Sequence, residues 1–146
     1  MIRLTSEAFD AGAELTRFSA GRSASGAVVS FLGLARGEPG GGPALELEAY
    51  KGFSEARMGE FVETAKVRFA LHDAAVIHRI GVISSGEPIV LALTAAAHRR
   101  AAFEACDFLM DYLKSRAPLW KKEFGPAGHR WVEPTAVDLA DLTRWE

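Results

Sequence analysis

Cysteine is almost absent from this sequence of 146 residues, which contains a single thiol at Cys106. One cysteine excludes an intrachain disulfide framework and any CxxC zinc or redox site.

No uncharged stretch reaches the roughly 18 residues of a membrane-spanning helix. The opening residues MIRLTSEAFD also lack the basic region and apolar run of a secretory leader. We therefore expect a soluble protein of the cytoplasm.

A large excess of one charge is also missing, since 17 Lys and Arg oppose 19 Asp and Glu for a net charge of −2. This balance argues against a general binder of polyanions. The few lysines are unevenly placed, because Lys114, Lys121 and Lys122 fall within nine residues that also contain Arg116 and Trp120. Basic groups are therefore concentrated in one part of the chain.

The common catalytic signatures do not occur in the sequence. It contains no GxxxxGK[ST], GxGxxG, GxSxG or HExxH motif and no calcium-binding loop. No trio of His, Cys and carboxylate residues has the spacing of a metal site. Cys106 occupies an apolar position of a predicted helix, where a free cysteine is usually a buried core residue. We expect no metal and no other cofactor, and we expect Cys106 to be inert.

Apolar periodicity predicts one α+β domain over residues 1–146, with the residues from about 134 onward as a tail. Strands are predicted at 2–5, 27–35, 44–50, 74–81 and 88–96, and a further hairpin at 119–133. Helices are predicted after Ser6, from 54 to about 70 and from about 98 to 114. This order favours a mainly antiparallel sheet with helices on one face. The strands 27–35 and 44–50 are predicted to form a long hairpin around the glycine-rich loop 37–43.

With the common catalytic and metal-binding motifs absent, the candidate functional residues are cationic side chains. Arg36 follows the buried strand and opens the glycine-rich loop, where a guanidinium can bind an anion together with backbone amides. His98 and Arg99 begin the second long helix, where free amides and the helix dipole favour an anion. Basic side chains at a helix start are otherwise slightly unfavourable. These three residues therefore predict an anionic substrate.

Lys114 and Lys121 are the candidate catalytic residues of the basic segment. Neighbouring positive charge and partial burial disfavour the ammonium form, so a clustered lysine can exchange protons or attack an electrophile near neutral pH. Successive residues of a strand face opposite sides, so Lys121 and Lys122 cannot both point into one pocket. We assign no role to Lys122 or to His78.

Five segments, read in order along the chain, form a specific combination. They are AVVSFLGLAR (27–36), LELEAY (45–50), VIHRIG (76–81), AHRRAAFEACDFLMDYLKSRAPLWKKE (97–123) and GHRWVE (128–133). Together they resemble the large, catalytic subunits of molybdopterin synthase, the MoaE family. The joint presence of AHR, DYLK and PLWKKE is more specific than any one of these motifs.

The resemblance implies a step of molybdenum cofactor biosynthesis. Cyclic pyranopterin monophosphate (precursor Z) receives two dithiolene sulfurs and becomes molybdopterin. The sulfur arrives as a thiocarboxylate on the C-terminal Gly-Gly tail of a small ubiquitin-like subunit of the MoaD type, and this tail inserts into the large subunit. The resemblance also implies an α/β hammerhead-type fold and a homodimer within a heterotetramer. From the charge balance and the lack of an apolar span, we expect no nucleic-acid or membrane partner.

Carried over residue by residue, the resemblance gives roles to the cationic positions. Arg36, His98 and Arg99 match substrate-binding positions of the family. Lys114 matches the lysine beside the incoming glycine tail, and Lys121 matches an essential lysine of the pocket. The C-terminal end diverges from the family, and we assign it no role.

The two ends of the second long helix lie too far apart for one pocket. His98 and Lys114 are sixteen residues apart, which corresponds to about 24 Å along a straight helix. Extended side chains cannot close this gap. We therefore hypothesise a site shared across a dimer, with His98 and Arg99 from one subunit and Arg36, Lys114 and Lys121 from the other.

Two other classes of function stay open at the level of sequence. A non-catalytic module would bind the tail of a ubiquitin-like partner without binding a pterin. A nucleotide or RNA binder would use the Lys-Trp segment, but the acidic charge balance and the lack of an aromatic-basic sheet motif make it the weakest alternative.

Overall fold

The computed structural model describes residues 1–126 and 128–146. Its strands are β1 (Ile2–Thr5), β2 (Ala27–Leu34), β3 (Pro43–Ala49), β4 (Asp73–Arg79), β5 (Gly81–Ser84), β6 (Pro88–Ala96), β7 (Leu119–Gly125) and β8 (Gly128–Val132). Its helices are α1 (Ala11–Ser19), α2 (Lys51–Arg68), α3 (Arg99–Ser115) and α4 (Ala136–Leu142), followed by a 3-10 turn at Thr143–Trp145. Within the described residues, no helix has both the length and the apolar character needed to cross a bilayer.

The first sheet, in the order β1-β4-β6-β2, supplies most of the core. β1 runs parallel to β4, and the other neighbouring strands are antiparallel. The central strands β4 and β6 are buried along nearly their whole length. This burial explains why both strands are almost continuously apolar in sequence, since a strand covered on both faces needs no polar side.

Helices cover both faces of the first sheet. Val90 and Ala92 of β6 share one apolar cluster with residues of α2 and α3, including Met58. Leu91 and Leu93 alternate with them and share a second cluster with residues of α1. The α+β class is confirmed, whereas the prediction of helices on a single face is wrong for α1. The reason is that β4 and β6 direct apolar side chains to both faces of the sheet, and each apolar face must be buried against a helix.

The start of α1 also differs from the prediction. Asp10 caps this helix, because its carboxylate accepts a hydrogen bond of 3.0 Å from the backbone amide of Ala13. Ser6 lies outside the helix, and the amide of Glu7 instead donates to the Thr5 hydroxyl at 3.1 Å. Both Ser6 and Asp10 are good capping residues by type, so local sequence alone did not distinguish them.

The second sheet is antiparallel throughout and has the order β5-β3-β7-β8. Its inner face buries Leu45, Leu47 and Ile83. The predicted hairpin of residues 27–35 with 44–50 is wrong, because β2 pairs with β6 and β3 pairs with β5 and β7. The glycine-rich loop therefore carries the chain from one sheet to the other. Gly81, at φ 85°, marks a second crossing between the sheets.

The hairpin predicted across residues 119–133 is confirmed. β7 and β8 pair from Lys121 opposite Val132 to Gly125 opposite Gly128. Ala127 of the predicted GPAG turn lies outside the described residues. This hairpin is the element that carries Lys121.

The predicted C-terminal tail is an ordered part of the fold. α4 begins with a capping box, in which the Thr135 hydroxyl accepts from the amide of Asp138 at 3.2 Å and the Asp138 carboxylate accepts from the amide of Thr135 at 2.8 Å. Leu142 is buried, and the Arg144 guanidinium donates to Asp111 of α3 at 2.5 Å. The prediction of a tail was wrong because the residue that holds this segment, Asp111, lies on α3 and is distant in the sequence.

Candidate active site

The direction of α3 relative to the first sheet decides which candidate residues can meet. The Thr94 hydroxyl of β6 donates to the carbonyl oxygen of Ala102 at 2.7 Å, and the Cys106 sulfur lies 4.0 Å from the carbonyl oxygen of Ala92. Advancing along the helix therefore means moving backwards along β6. α3 begins at the Ala96 end of this strand and finishes toward its Pro88 end.

The strand register places Arg36 at the same end of the sheet as Lys114. Leu34, the last residue of β2, lies next to Pro88 of β6. Arg36 follows two residues later, at the end where α3 finishes with Lys114 in its last turn. His98 caps the other end of α3. One chain thus brings Arg36 and Lys114 to one end and His98 to the other.

The backbone around Arg36 is held firmly although its side chain is exposed. Ala35 is buried, and its amide donates to the carbonyl oxygen of Glu87 at 2.9 Å. Gly37 packs so closely against the turn between β5 and β6 that an added Cβ would lie 2.1 Å from the Ser85 hydroxyl oxygen. The guanidinium of Arg36 therefore projects from a fixed point at the start of the glycine-rich loop.

Lys114, Lys121 and Asp138 form a group that we call the lysine corner. The Ser115 hydroxyl donates to the backbone oxygen of Asp138 at 3.1 Å, which fixes the first turn of α4 beside the end of α3. Burial raises the pKa of Asp138, but hydrogen bonds from Thr135 and then the charges of Lys114 and Lys121 outweigh burial and lower this pKa below its usual value. Two lysines from different elements therefore act on one carboxylate.

The two adjacent lysines of β7 have different surroundings. Lys121 has a side chain that is 30% exposed, and its Nζ lies 3.5 Å from Oε1 of Glu123. Lys122 places its Nζ 3.6 Å from Oε1 of Glu46 and 4.7 Å from the ring centre of Trp131. The two lysines face opposite sides of the sheet, as the alternation of a strand predicts.

His98 and Arg99 stand at an uncapped helix start. The His98 backbone is extended, its side chain makes no capping hydrogen bond, and no acidic residue lies in the first turn of α3. Both side chains are exposed. The free amides and the positive end of the helix dipole thus remain available to an anion together with two basic side chains.

Cys106 is buried in the core, as predicted. Burial, followed by the nearby charge of Asp107, raises the pKa of its thiol to about 11. The thiolate is the nucleophilic form of cysteine. Cys106 is therefore unsuited to carry sulfur or to act as a nucleophile at neutral pH.

We expect iodoacetamide to leave native Cys106 unmodified at pH 8, where only about 0.1% of a thiol with this pKa is ionised. Intact-protein mass should show no added group in native buffer and one group in denaturant. Cys106→Ala should retain the activity of the unmodified chain. Modification of the native protein at the rate of free cysteine would contradict this account.

His78 and Arg79 are buried structural residues at the end of β4. Arg79 pairs with the carboxylate of Glu87, and a ring nitrogen of His78 lies 2.8 Å from the Arg79 carbonyl oxygen. The hydrogen bond from Arg79 lowers the pKa of Glu87, while burial lowers the pKa of His78. Neither residue belongs to the lysine corner.

Asp138 is the residue of this site that our sequence analysis missed. Its signal was present as Thr135-x-x-Asp138, the spacing of a capping box, but it fell within the predicted tail.

Over residues 1–126 and 128–146, no group of three or more His, Cys, Asp or Glu side chains is placed to hold a metal ion.

Comparison with known proteins identifies the family. Residues 4–116 match the family described as MoaE protein. The molybdopterin synthase catalytic subunit of Caulobacter vibrioides is 58% identical over 146 residues, which covers 100% of this chain and 97% of that protein.

Solved structures agree with this match. The molybdopterin biosynthesis MoaE protein of Burkholderia ambifaria superposes with a TM-score of 0.83 at 39% identity, over 99% of this chain and 97% of that one. A complex of subunits 1 and 2 of the molybdopterin-converting factor of Helicobacter pylori contains the same fold, with a TM-score of 0.75 at 20% identity over 90% and 89% of the two chains. The chain therefore belongs to the MoaE family of molybdopterin synthase catalytic subunits.

Proposed function

We propose that the lysine corner, together with Arg36, is the place where this catalytic subunit transfers sulfur to precursor Z. The observation that carries the proposal is the meeting of two basic elements near Asp138. Ser115 fixes Asp138 next to the end of α3, and the charges of Lys114 on α3 and Lys121 on β7 both help to lower the pKa of its carboxyl group. Two ammonium groups brought together from separate elements suit a reaction that begins and ends with an anionic acyl group.

Lys114 and Lys121 have different proposed roles. Each transfer forms a carbon–sulfur bond on the substrate and breaks the acyl–sulfur bond of the tail, while water supplies the oxygen of the carboxylate that remains. Lys114 stabilises the thiocarboxylate and then this carboxylate by charge-assisted hydrogen bonds. Lys121 moves protons during addition to the substrate and opening of its ring.

Arg36, His98 and Arg99 bind the cyclic phosphate and the polar pterin in this proposal, and so orient the reacting carbon. A single chain places His98 and Arg99 at the opposite end of α3 from Lys114. The proposed site is therefore completed by a second copy of the chain, which contributes its own His98 and Arg99.

The proposed partner is a small ubiquitin-like sulfur carrier of the MoaD type that inserts its Gly-Gly tail at the lysine corner. The two-subunit complex from Helicobacter pylori, whose fold this chain shares, supports a partner of this kind. The full assembly would be a heterotetramer with the homodimer at its centre. We place the reaction in the cytoplasm, because the one cysteine is a free and buried thiol.

The test is to incubate the purified chain with precursor Z and a thiocarboxylated small subunit, and to follow dithiolene product by mass spectrometry. We expect product with the thiocarboxylate and none with the same subunit ending in a carboxylate. A chain that binds the small subunit but forms no product would instead be a non-catalytic module for the tail.

A further inference from the structure

Of the four edge strands in the described parts of the chain, only β2 is both long and free of charged side chains. Its sequence AVVSFLGL has eight residues, and the strand pairs with β6 on one side only. The edge strands β1 and β5 have four residues each, and the edge strand β8 contains His129 and Arg130. Short length and charged side chains are common protections of a sheet edge against pairing with another chain. β2 has neither protection.

Apolar side chains of β2 are exposed on both faces of the first sheet. Phe31 is 43% exposed and lies opposite Ala92, which belongs to the apolar cluster shared with α2 and α3. Leu32 is 41% exposed and lies opposite Leu91, which belongs to the cluster shared with α1. A further strand would cover both side chains, because it extends both faces of a sheet, whereas a helix would cover one face.

The two ends of β2 lie at the two ends of α3. Ala27 lies opposite Ala96, which precedes His98 by two residues. Leu34 lies at the end of the sheet where α3 finishes, and Arg36 follows it. An antiparallel partner strand reverses these ends, so the Ala27 end of one copy would lie beside the Leu34 end of the other.

We infer that the free edge of β2 pairs with β2 of a second copy, in antiparallel orientation around a two-fold axis near Phe31. The pairing joins two four-stranded sheets into one continuous sheet. It brings His98 and Arg99 of each copy to the end of the other copy that carries Arg36 and Lys114. Adjacent strands lie about 4.8 Å apart, so β6 of one copy would lie about 10 Å from β2 of the other. Extended basic side chains and a bound substrate can span this gap.

The inference rests on the proposed function for the identity of the shared site, and it assigns the surface through which a second copy completes that site. The same edge serves both copies, so the contact closes at a dimer. Parallel pairing of the two edges would instead bring His98 of one copy beside His98 of the other. Only the antiparallel orientation joins unlike ends of α3.

The experiment introduces charges beside the axis. In antiparallel pairing around Phe31, the two Leu32 side chains are diagonal neighbours, a separation that long side chains can bridge. Leu32→Glu and Leu32→Lys chains should each sediment as monomers of 15.7 kDa, because like charges meet, whereas their mixture should form dimers. The matched control is Val67→Glu, which changes an apolar side chain that is 82% exposed on α2 and should stay dimeric.

Sulfur transfer should follow the same pattern. Each Leu32 variant alone should form dithiolene about 100-fold more slowly or less, because no second copy supplies His98 and Arg99. The mixture of the two variants should regain activity, since both of its sites are intact. Each variant should still bind the sulfur-carrier partner, because Lys114 and Lys121 remain with every copy.

A cross-link tests the same contact without adding a charge. Phe31→Cys in a Cys106→Ala chain should form a covalent dimer with a short bis-maleimide, because the two thiols face each other near the axis. Val67→Cys in the same background should not. Dimers that persist in both Leu32 variants, or the lack of a cross-link from Phe31→Cys, overturn the inference. If a Leu32 variant does not fold, the cross-link alone decides.

The two proposals fail in different ways. Dithiolene formation by the unmodified chain, without a cross-link from Phe31→Cys, overturns the β2 contact and leaves the proposed function in place. A dimer that cross-links at position 31 but forms no dithiolene with thiocarboxylated partner overturns the proposed function and leaves the β2 contact in place.

Discussion

Replacing Lys121 with alanine is expected to lower the rate of dithiolene formation by about 10²- to 10³-fold, and Lys114→Ala should have an effect of similar size. Each change removes a charged donor aimed at groups whose charge changes during the transfer. Asp138 would also lose one of the two cations that act on it. The control is Lys66→Ala, because Lys66 lies on α2 and pairs with Glu63 at 3.3 Å.

Arginine substitutions separate the two lysine roles. A guanidinium keeps its positive charge but does not release a proton near neutral pH. Lys114→Arg should therefore recover much of the rate, because charge and hydrogen bonding are what this position supplies. Lys121→Arg should stay close to Lys121→Ala. Single-turnover rates with thiocarboxylated partner measure both, and near-normal rates in both alanine variants would refute the assignment.

Mixed dimers made from an Arg99→Ala chain and a Lys114→Ala chain are expected to regain activity that neither variant has alone. If each site takes Arg99 from one copy and Lys114 from the other, a mixed dimer contains one intact site and one doubly defective site. Random pairing makes half of the dimers mixed, so the recovery should approach about a quarter of the unmodified activity for a symmetric dimer.

The same experiment has an internal control. Lys114 and Lys121 come from the same copy in the proposed site, so mixing Lys114→Ala with Lys121→Ala chains should recover nothing. Mixing Arg99→Ala with Lys121→Ala chains should recover activity again. No recovery in either mixture that contains Arg99→Ala would place the whole site within one chain and contradict the shared arrangement.

Long periodic segments were predictable from the sequence because their burial is uniform. β6 occupies residues 88–96 as predicted, and α3 is shifted by one residue at each end. The four residues of β5 were missed, because so short a strand has too few alternations to show a pattern. Pairing also escaped prediction, because β2 and β3 are neighbouring strands in the sequence and only tertiary contacts decide that they belong to different sheets.

The residue types of the candidate site were predictable, whereas their grouping was not. Arg36, Lys114 and Lys121 stand out in the sequence as basic residues in unusual places. That Arg36 and Lys114 share one end of the sheet follows from the register of Leu34 beside Pro88 and from the direction of α3. Neither the register nor this direction has a local signal in the sequence.

The measurement that tests the central claim most directly is a structure of the chain bound to its sulfur-carrier partner. The distances to obtain are those from the terminal carboxylate of the partner tail to Nζ of Lys114 and Nζ of Lys121. We expect at least one of them to lie within about 4 Å, the range of a direct ion pair. A tail that ends elsewhere, while both lysines face bulk water, would contradict the account.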